Sequence, residues 1–158
     1  MMLKKIPPCA SMDSVLDHLE SETKYGFRNR AIFAIRQSLR IKDISALLIS
    51  DVLGLDGKIK HIYMSEDGRL FRFDDQLRSE LQRYLLKRFN VSNGSLHSLL
   101  RESLLLPLFP TQKRDRFSNN TLAQHFSYLD KCIRSRFESR KSSKRPSWFE
   151  STKNSLAD

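Results

Sequence analysis

The sequence is poor in the residues that mark secreted, metal-binding or repetitive proteins. It has two cysteines, Cys9 and Cys132, with no Cys-x-x-Cys pair and no histidine at metal-ligand spacing from either. A disulfide framework is therefore excluded, a zinc module is not expected, and we expect no metal ion or cofactor. Glycine and proline number 5 each, which is too few for a collagen-like or linker-like chain.

Long apolar runs are also missing. No stretch approaches the roughly 20 apolar residues that a membrane-spanning helix needs. Residues 1–8 hold no apolar run long enough for a signal peptide. We therefore expect a cytoplasmic protein in a reducing compartment, without membrane contact, and associated with the nucleoid if it binds DNA.

Negative charge is scarce relative to positive charge. Lysine and arginine together number 28 against 18 acidic residues, which gives a net charge of +10 over 158 residues. This balance favours a polyanionic partner such as nucleic acid or an acidic membrane surface, and the lack of a membrane segment favours nucleic acid. A soluble basic protein without such a partner is the alternative. Hydrophobic residues make up 39% of the chain and are clustered, which is typical of one folded domain rather than a disordered chain.

The apolar spacing predicts an α+β fold that is mostly helical. Residues 1–10 are expected to form an irregular lead, 11–137 a single domain, and 138–158 a basic, flexible tail. Apolar residues recur at helical spacing after Ser11, after Gly26 and after Arg40. Later helices are predicted after Asp74 or Asp75, around residues 96–104, and after Ser118, where the aspartates and the serine are suitable N-caps.

One small antiparallel hairpin is predicted between the helices. Apolar and polar residues partly alternate over 58–64 and again over 69–73, and the intervening Ser65–Gly68 ends in the Asp-Gly pair typical of tight turns. The alternation predicts that four basic side chains lie on the solvent side of this hairpin, where they bind DNA phosphates or simply form a solvated strand face: Lys58, Lys60, Arg69 and Arg72.

Two further segments concentrate basic residues. The loop at 107–116 is basic at its end, and the segment 131–145 has seven basic residues and one acid, Glu138. Clustered positive charge binds phosphates by releasing counterions, and the alternative is a solubilising tail. The candidates for DNA binding in these segments are Lys113, Arg114, Arg116, Lys131, Arg134, Arg136, Arg140, Lys141, Lys144 and Arg145. Trp148 and Phe149 in the tail are either an anchor for a protein partner or a cap that docks on the chain itself.

A motif extends from residue 28 to residue 52. It has Arg-Asn-Arg-Ala-Ile-Phe at 28–33, Ser-Leu-Arg-Ile-Lys-Asp-Ile at 38–44, Leu47, and Asp-Val at 51–52. This segment resembles the first motif block of the tyrosine recombinases, the family of the phage integrases. The resemblance places Arg40 on the family's first catalytic arginine and Asp43 on its usual acidic residue. Ser38 and Lys42 stand where the family has a glycine and a small capping residue.

The resemblance continues in order over roughly residues 11–133. A hairpin and a helix follow at the right distance, and Leu-Phe-Pro-Thr at 108–111 is similar to the family's Leu-Phe-Pro-Ser. The resemblance implies a fragment of the recombinase catalytic-domain fold that binds duplex DNA. Arg40 is then the vestigial family arginine, in contact with a phosphate or paired with Asp43 or Asp51 at the helix junction.

The departures from the family concern the chemistry. Glu66 stands on the position of the family's catalytic lysine, although Lys60, Arg69 or Arg72 could substitute from nearby. No His-x-x-Arg sequence occurs, no histidine follows His125, and Tyr128 is the last tyrosine. The helical domain that normally precedes the catalytic domain is also not expected. Strand cleavage needs a tyrosine nucleophile, two arginines and a general acid, so no enzymatic activity is expected.

Three functions follow from these residues. The first is a catalytically inactive, integrase-like DNA-binding protein that acts as an accessory or regulatory factor of a mobile element. The second is a protein-interaction module that modulates an active recombinase or another DNA-bound protein. The third is a recombinase or nuclease that a second chain completes.

Overall fold

The computed structural model describes residues 11–142, and describes side chains as far as Phe137. The first helix, α1 (Met12–Glu22), begins where Ser11 caps it, with its hydroxyl oxygen 3.1 Å from the Ser14 amide that donates to it. Its buried face consists of Val15, Leu16 and Leu19. The predicted cap and apolar face of this helix are therefore both present.

The second helix, α2 (Gly26–Arg36), is the centre of the domain. It packs against α1 on one side and against a later helix, α5 (Asp75–Arg88), on the other. Most of its residues are buried, including the polar Asn29. Gly26 starts the helix in close contact with α1, because a Cβ at this position would lie 1.9 Å from the carbonyl oxygen of Glu20.

The apolar set after Arg40 forms two short helices, α3 (Ile41–Ala46) and α4 (Ile49–Val52). The break between them lies at Leu47 and Leu48, where the Leu108 amide donates to the Leu47 carbonyl over 3.0 Å. Asp51 begins α4 by accepting a 2.8 Å hydrogen bond from the Leu48 amide. Sequence spacing joins the apolar residues after Arg40 into one helix. The hydrogen bond from Leu108 separates them into two.

The hairpin consists of β1 (Ile62–Met64) and β2 (Leu70–Arg72), paired antiparallel with Tyr63 opposite Phe71. Those two rings point towards the core. The hairpin is shorter than predicted: Lys58 and Lys60 precede β1. The four basic side chains predicted on its solvent side are exposed, and the exposed face of the hairpin also carries Ile62, Met64 and Leu70.

The remaining helices complete the core. Asp74 caps α5, accepting from the Leu77 amide over 2.8 Å. After the four-residue α6 (Leu99–Glu102), the Ser118 hydroxyl accepts from the Thr121 amide at the start of α7 (Asn119–Ser142). The inward residues of α7 are those that the periodicity predicts: Leu122, Phe126, Leu129, Ile133 and Phe137. The backbone of α7 continues to Ser142, past the domain boundary predicted at residue 137.

The predicted fold class is confirmed: the domain is mostly helical, with one two-stranded antiparallel sheet. The helices from α1 to α7 and the inner face of the hairpin share one hydrophobic core. Over residues 11–142, none of the helices is long and apolar enough to cross a membrane. The hairpin tip and the start of α3 meet at the surface of this core, where Arg40 lies.

Candidate functional site

Arg40 is the N-cap residue of α3 and is bound to a carboxylate in the first turn of that helix. Its Nε and Nη2 atoms lie 2.6 and 3.0 Å from the two carboxylate oxygens of Asp43. The Asp43 side chain is only 5% exposed, whereas that of Arg40 is 25% exposed. This two-point contact raises the pKa of Arg40 and fixes the plane of its guanidinium.

A second carboxylate, that of Asp67 at the hairpin tip, also contacts Arg40. Its Oδ2 atom lies 3.2 Å from Arg40 Nη2, 3.7 Å from Lys42 Nζ and 3.9 Å from Arg69 Nε. The Ser65 hydroxyl donates a further hydrogen bond to it. The bond from Ser65, and then that from Arg40, hold the pKa of Asp67 well below its usual range. We call Arg40, Asp43, Asp67, Lys42 and Arg69 the Arg40 cluster.

A groove of about 380 Å³ adjoins the Arg40 cluster. Its lining includes three acidic side chains and one basic one, together with Tyr63: Asp43, Glu66, Asp67 and Lys42. Burial, and then the charges of Asp51, Asp43 and Glu66, raise the pKa of Tyr63 to about 12. Asp43 and Asp67 are paired with Arg40, and Lys42 approaches Asp67, so Glu66 is the carboxylate on this groove that forms no ion pair within residues 11–137.

The structure shows which acid meets the family-like arginine. The sequence analysis gave Asp43 or Asp51 as the acids that could pair with Arg40, and Asp43 is in contact with it. Glu66, which the resemblance places on the lysine position, is exposed and forms no ion pair within residues 11–137. Its neighbour Asp67 also contacts Arg40. The identity of this partner depends on how the hairpin turn lies against α3, so local sequence holds no signal for it.

The basic side chains predicted on the hairpin are all exposed, and they differ in their partners. Arg69 belongs to the Arg40 cluster, whereas Lys58, Lys60 and Arg72 form no ion pair within residues 11–137. Lys58 lies on a separate cavity of about 340 Å³ that is also lined by Asp56 and His97.

The basic loop at 110–116 is fixed to the start of α2. The Arg28 guanidinium donates to the Pro110 carbonyl over 3.0 Å, and Pro110 forms an isolated antiparallel bridge with Arg116. Lys113, Arg114 and Arg116 are exposed. This attachment holds their backbone in place beside the N-terminal half of α7.

The basic residues of α7 lie far from that loop. At one end of α7, Asn119 contacts Ser45 of α3, with the two oxygens 2.5 Å apart; at the other, Phe137 packs on His18 of α1. At 1.5 Å per residue, these two ends are about 27 Å apart. Lys131, Arg134 and Arg136 are exposed near the α1 end. The side chains of Arg140 and Lys141, and residues Lys144, Arg145, Trp148 and Phe149, lie outside the described part of the structure.

A buried polar network next to the basic loop was missed by the sequence analysis. Asn29 accepts from His125 Nε2 over 2.8 Å and from Arg28 Nη2 over 3.1 Å. Its amide nitrogen donates to Thr23 Oγ1 and to the Lys24 carbonyl. Burial, together with the charge of Arg28, lowers the pKa of His125 to about 4. His125 is therefore neutral at pH 7 and donates through Nε2.

No group of three or more His, Cys, Asp or Glu side chains within the described range is arranged to hold a metal ion.

Tyr128, the last tyrosine of the sequence, contacts the His125 ring, with the ring centroids 5.9 Å apart. A hydrogen bond with Cys132 and partial burial raise its pKa. A nucleophilic tyrosine is activated by a lowered pKa, so the raised pKa of Tyr128 is a change in the opposite direction.

Comparison with known proteins supports a relation at the level of fold. No protein-family model matches the sequence, and no curated protein matches it. Among solved structures, the crystal structure of XerA recombinase matches 81% of this chain with a TM-score of 0.51 and 21% sequence identity. The match spans 42% of the XerA chain. This similarity agrees with the recombinase-like architecture that the motif order implies.

Proposed function

We propose that this protein is a catalytically inactive, integrase-like protein that binds duplex DNA and acts as an accessory or regulatory factor of a mobile element. One observation carries the proposal. Many of its exposed basic side chains form no ion pair within residues 11–137 and are free to neutralise phosphates. They are Lys58, Lys60, Arg72, Lys113, Arg114, Arg116, Lys131 and Arg136.

The separation of the basic groups suits a duplex better than a small ligand. The loop at 110–116 lies just before the start of α7, and Lys131 and Arg136 are 12 and 17 residues beyond Asn119, which is about 18 and 26 Å along the helix. At 3.4 Å per base pair, these distances correspond to about five to eight base pairs of duplex. Contacts of this kind carry no base information, so the proposed binding has weak sequence preference.

The absence of cleavage is proposed on two grounds. The family-like arginine is already held by two carboxylates. The sequence has no His-x-x-Arg block and no tyrosine after Tyr128. Loss of one transition-state donor typically costs about 3–4 kcal/mol of activation free energy. The loss of several donors together with the nucleophile leaves no path to a covalent intermediate.

The test is a salt series on duplex DNA of mixed sequence, paired with a nicked substrate that traps covalent tyrosine intermediates. If about five phosphates are neutralised, log K falls with log salt at a slope of about −4 to −5. The double variant Lys113→Ala, Arg116→Ala should weaken binding. Its matched control, Arg83→Ala, Lys87→Ala, removes two cations that are already paired with Glu20. Binding that does not depend on salt, or a covalent adduct lost with a tyrosine-to-phenylalanine change, contradicts the proposal.

A second candidate function rests on the outer face of the hairpin. Ile62, Met64 and Leu70 are 47%, 62% and 63% exposed and lie side by side in the β1–β2 register. Adjacent exposed apolar side chains mark protein contacts, which supports a module that modulates a recombinase. The variant Met64→Ser, Leu70→Ser should then abolish an effect on recombination by an active tyrosine recombinase and leave DNA affinity unchanged.

A further inference from the structure

Five side chains form a continuous series of ring and guanidinium contacts across the surface between α2 and α7. The Arg28 guanidinium carbon lies 5.0 Å from the ring centroid of Tyr25 and 5.4 Å from that of Phe117. The Phe117 ring is 5.3 Å from that of His125, which is 5.9 Å from that of Tyr128. We call these five side chains the aromatic ladder.

The two ends of the aromatic ladder are open to solvent, and its middle is not. Tyr25 is 39% exposed and Tyr128 is 45% exposed, whereas Arg28 is only 8% exposed. Tyrosine rings combine an apolar face with a polar hydroxyl, and they are enriched where proteins contact other molecules. The packed middle holds the two outer rings in place, and each exposed ring offers a surface on which another planar group can stack.

The ring of Tyr25 is held by its backbone. Its φ angle is +60°, in the left-handed region that non-glycine residues rarely adopt. The Asn29 side chain donates to the carbonyl of the preceding Lys24 over 2.9 Å, and the Asn29 amide donates to the Tyr25 carbonyl over 3.0 Å. Backbone strain of this kind persists where surrounding structure enforces it and is frequent at ligand contacts.

Positive charge surrounds the aromatic ladder. Lys24 Nζ lies 5.4 Å from the Tyr25 ring centroid. Phe117 directly follows Arg116, and the same basic loop is fixed to Arg28 through Pro110. The loop includes one acid, Asp115, against the cations Lys113, Arg114 and Arg116. Cations therefore lie beside the Tyr25 end of the aromatic ladder and directly before Phe117 in the chain.

We infer that the aromatic ladder is a binding site for unstacked bases of single-stranded nucleic acid, with Tyr25 and Tyr128 as stacking surfaces and the adjacent cations on the phosphates. Grooves that combine cations with aromatic rings bind single strands in this way. A duplex keeps its bases stacked inside and contacts only the cations. On Tyr25 a base takes the place of the exposed Lys24 ammonium, which moves to a phosphate, while the buried Arg28 stays against the ring. The inference goes beyond the proposed duplex binding and depends on different residues.

The test uses fluorescence anisotropy of the full chain with three probes: a short pyrimidine single strand, the same strand made abasic, and a duplex of equal length. Stacking contributes about 1–3 kcal/mol per base, so Tyr25→Ala and Tyr128→Ala should each weaken single-strand binding about five- to hundredfold. Tyr25→Phe and Tyr128→Phe should retain it. Leu55→Ala, which removes a side chain that is 87% exposed elsewhere, is the control.

The inference is overturned if the alanine variants bind the pyrimidine strand as wild type does, or if they lose affinity for the abasic strand equally. Tyrosine-dependent binding of an acidic peptide, with no such dependence for the single strand, assigns the surface to a protein partner instead and also overturns it. Thermal unfolding of the Tyr25 and Tyr128 variants checks that each of them still folds. Tyrosine-dependent single-strand binding without any duplex binding contradicts the proposed function alone, so the two failures are distinguishable.

Discussion

The Nη2 atom of Arg40 lies 3.2 Å from the Oδ2 atom of Asp67, and this contact joins residues that are 27 apart in the sequence. It fixes the tip of the hairpin to the start of α3. It also places a negative charge against the side chain that the motif resemblance puts on a catalytic arginine of the tyrosine recombinases. Because Lys42 and Arg69 approach the same carboxylate, Asp67 occupies a position suited to an anion.

Removal of the Asp67 charge should free these cations for DNA. We expect Asp67→Asn to raise the affinity for duplex DNA roughly five- to tenfold at about 0.1 M salt, because one further phosphate contact makes the slope of log K against log salt steeper by about 0.9. Anisotropy titrations over a salt series measure both quantities. The effect should disappear in the double variant Asp67→Asn, Arg40→Ala.

The control for this prediction is Glu66→Gln, which removes the same charge one residue earlier. Since Glu66 does not contact Arg40, the slope of log K against log salt for Glu66→Gln should match that of the wild type within error. Equal changes in slope for Glu66→Gln and Asp67→Asn refute a specific role for the Arg40–Asp67 pair. They indicate a general effect of net charge instead.

His125 should make the stability of the fold depend on pH. Burial lowers its pKa from 6.5 to about 4 in the folded state. The unfolded chain therefore binds the proton first, and the stabilisation is complete above pH 6.5 and is lost as pH falls from 6.5 towards 4. Between pH 7 and about pH 4.5 we expect a loss of about 2 kcal/mol from this group.

Urea unfolding of the wild type and of His125→Gln at pH 7 and at about pH 4.5 isolates the contribution of His125 to stability. Glutamine can still donate to Asn29 but does not titrate, so the variant should lose about 2 kcal/mol less than the wild type over the same interval. Parallel pH dependence of the two proteins contradicts the assignment to His125.

Gly26→Ala should destabilise the fold by about 3 kcal/mol, in the range of overpacking in a close contact. The added methyl group would lie 1.9 Å from the Glu20 carbonyl oxygen, so α1 and α2 would have to separate. The control is Gly94→Ala. Its φ is +75°, but nothing lies within 4 Å of a new Cβ, so it should lose only about 1 kcal/mol. Similar unfolding midpoints for the two variants contradict this account.

The end of α7 separates folding from DNA binding. Removal of residues 143–158, which include Lys144 and Arg145, should leave the unfolding midpoint unchanged and weaken duplex affinity. Phe137→Ala should instead lose about 3 kcal/mol of stability, because its ring is 4% exposed and packs edge-on against His18 at 5.9 Å. Thermal unfolding and duplex titrations test both. A destabilised truncation, or a truncation that binds as the full chain does, contradicts the separation.

Local sequence predicted the elements that local forces determine. Ser11, Asp74 and Ser118 cap helices because a short polar side chain satisfies amide groups only two or three residues away. The apolar period of α7 predicted its buried face for the same reason: side chains three and four apart share one side of a helix. The motif order added the recombinase-like fold, which the comparison with XerA recombinase supports.

Tertiary structure alone decided which distant side chains meet. Asp67 rather than Glu66 contacts Arg40 because of the angle at which the hairpin turn lies on α3. Sequence grouped the predicted basic residues by segment, and packing places Arg69 against Asp67 while Lys58 lies on a separate cavity. The aromatic ladder joins α2 to α7 through contacts such as Arg28 with Phe117. Periodicity and capping act within a few residues, whereas these pairings depend on how whole helices pack, and packing is a property of the complete core.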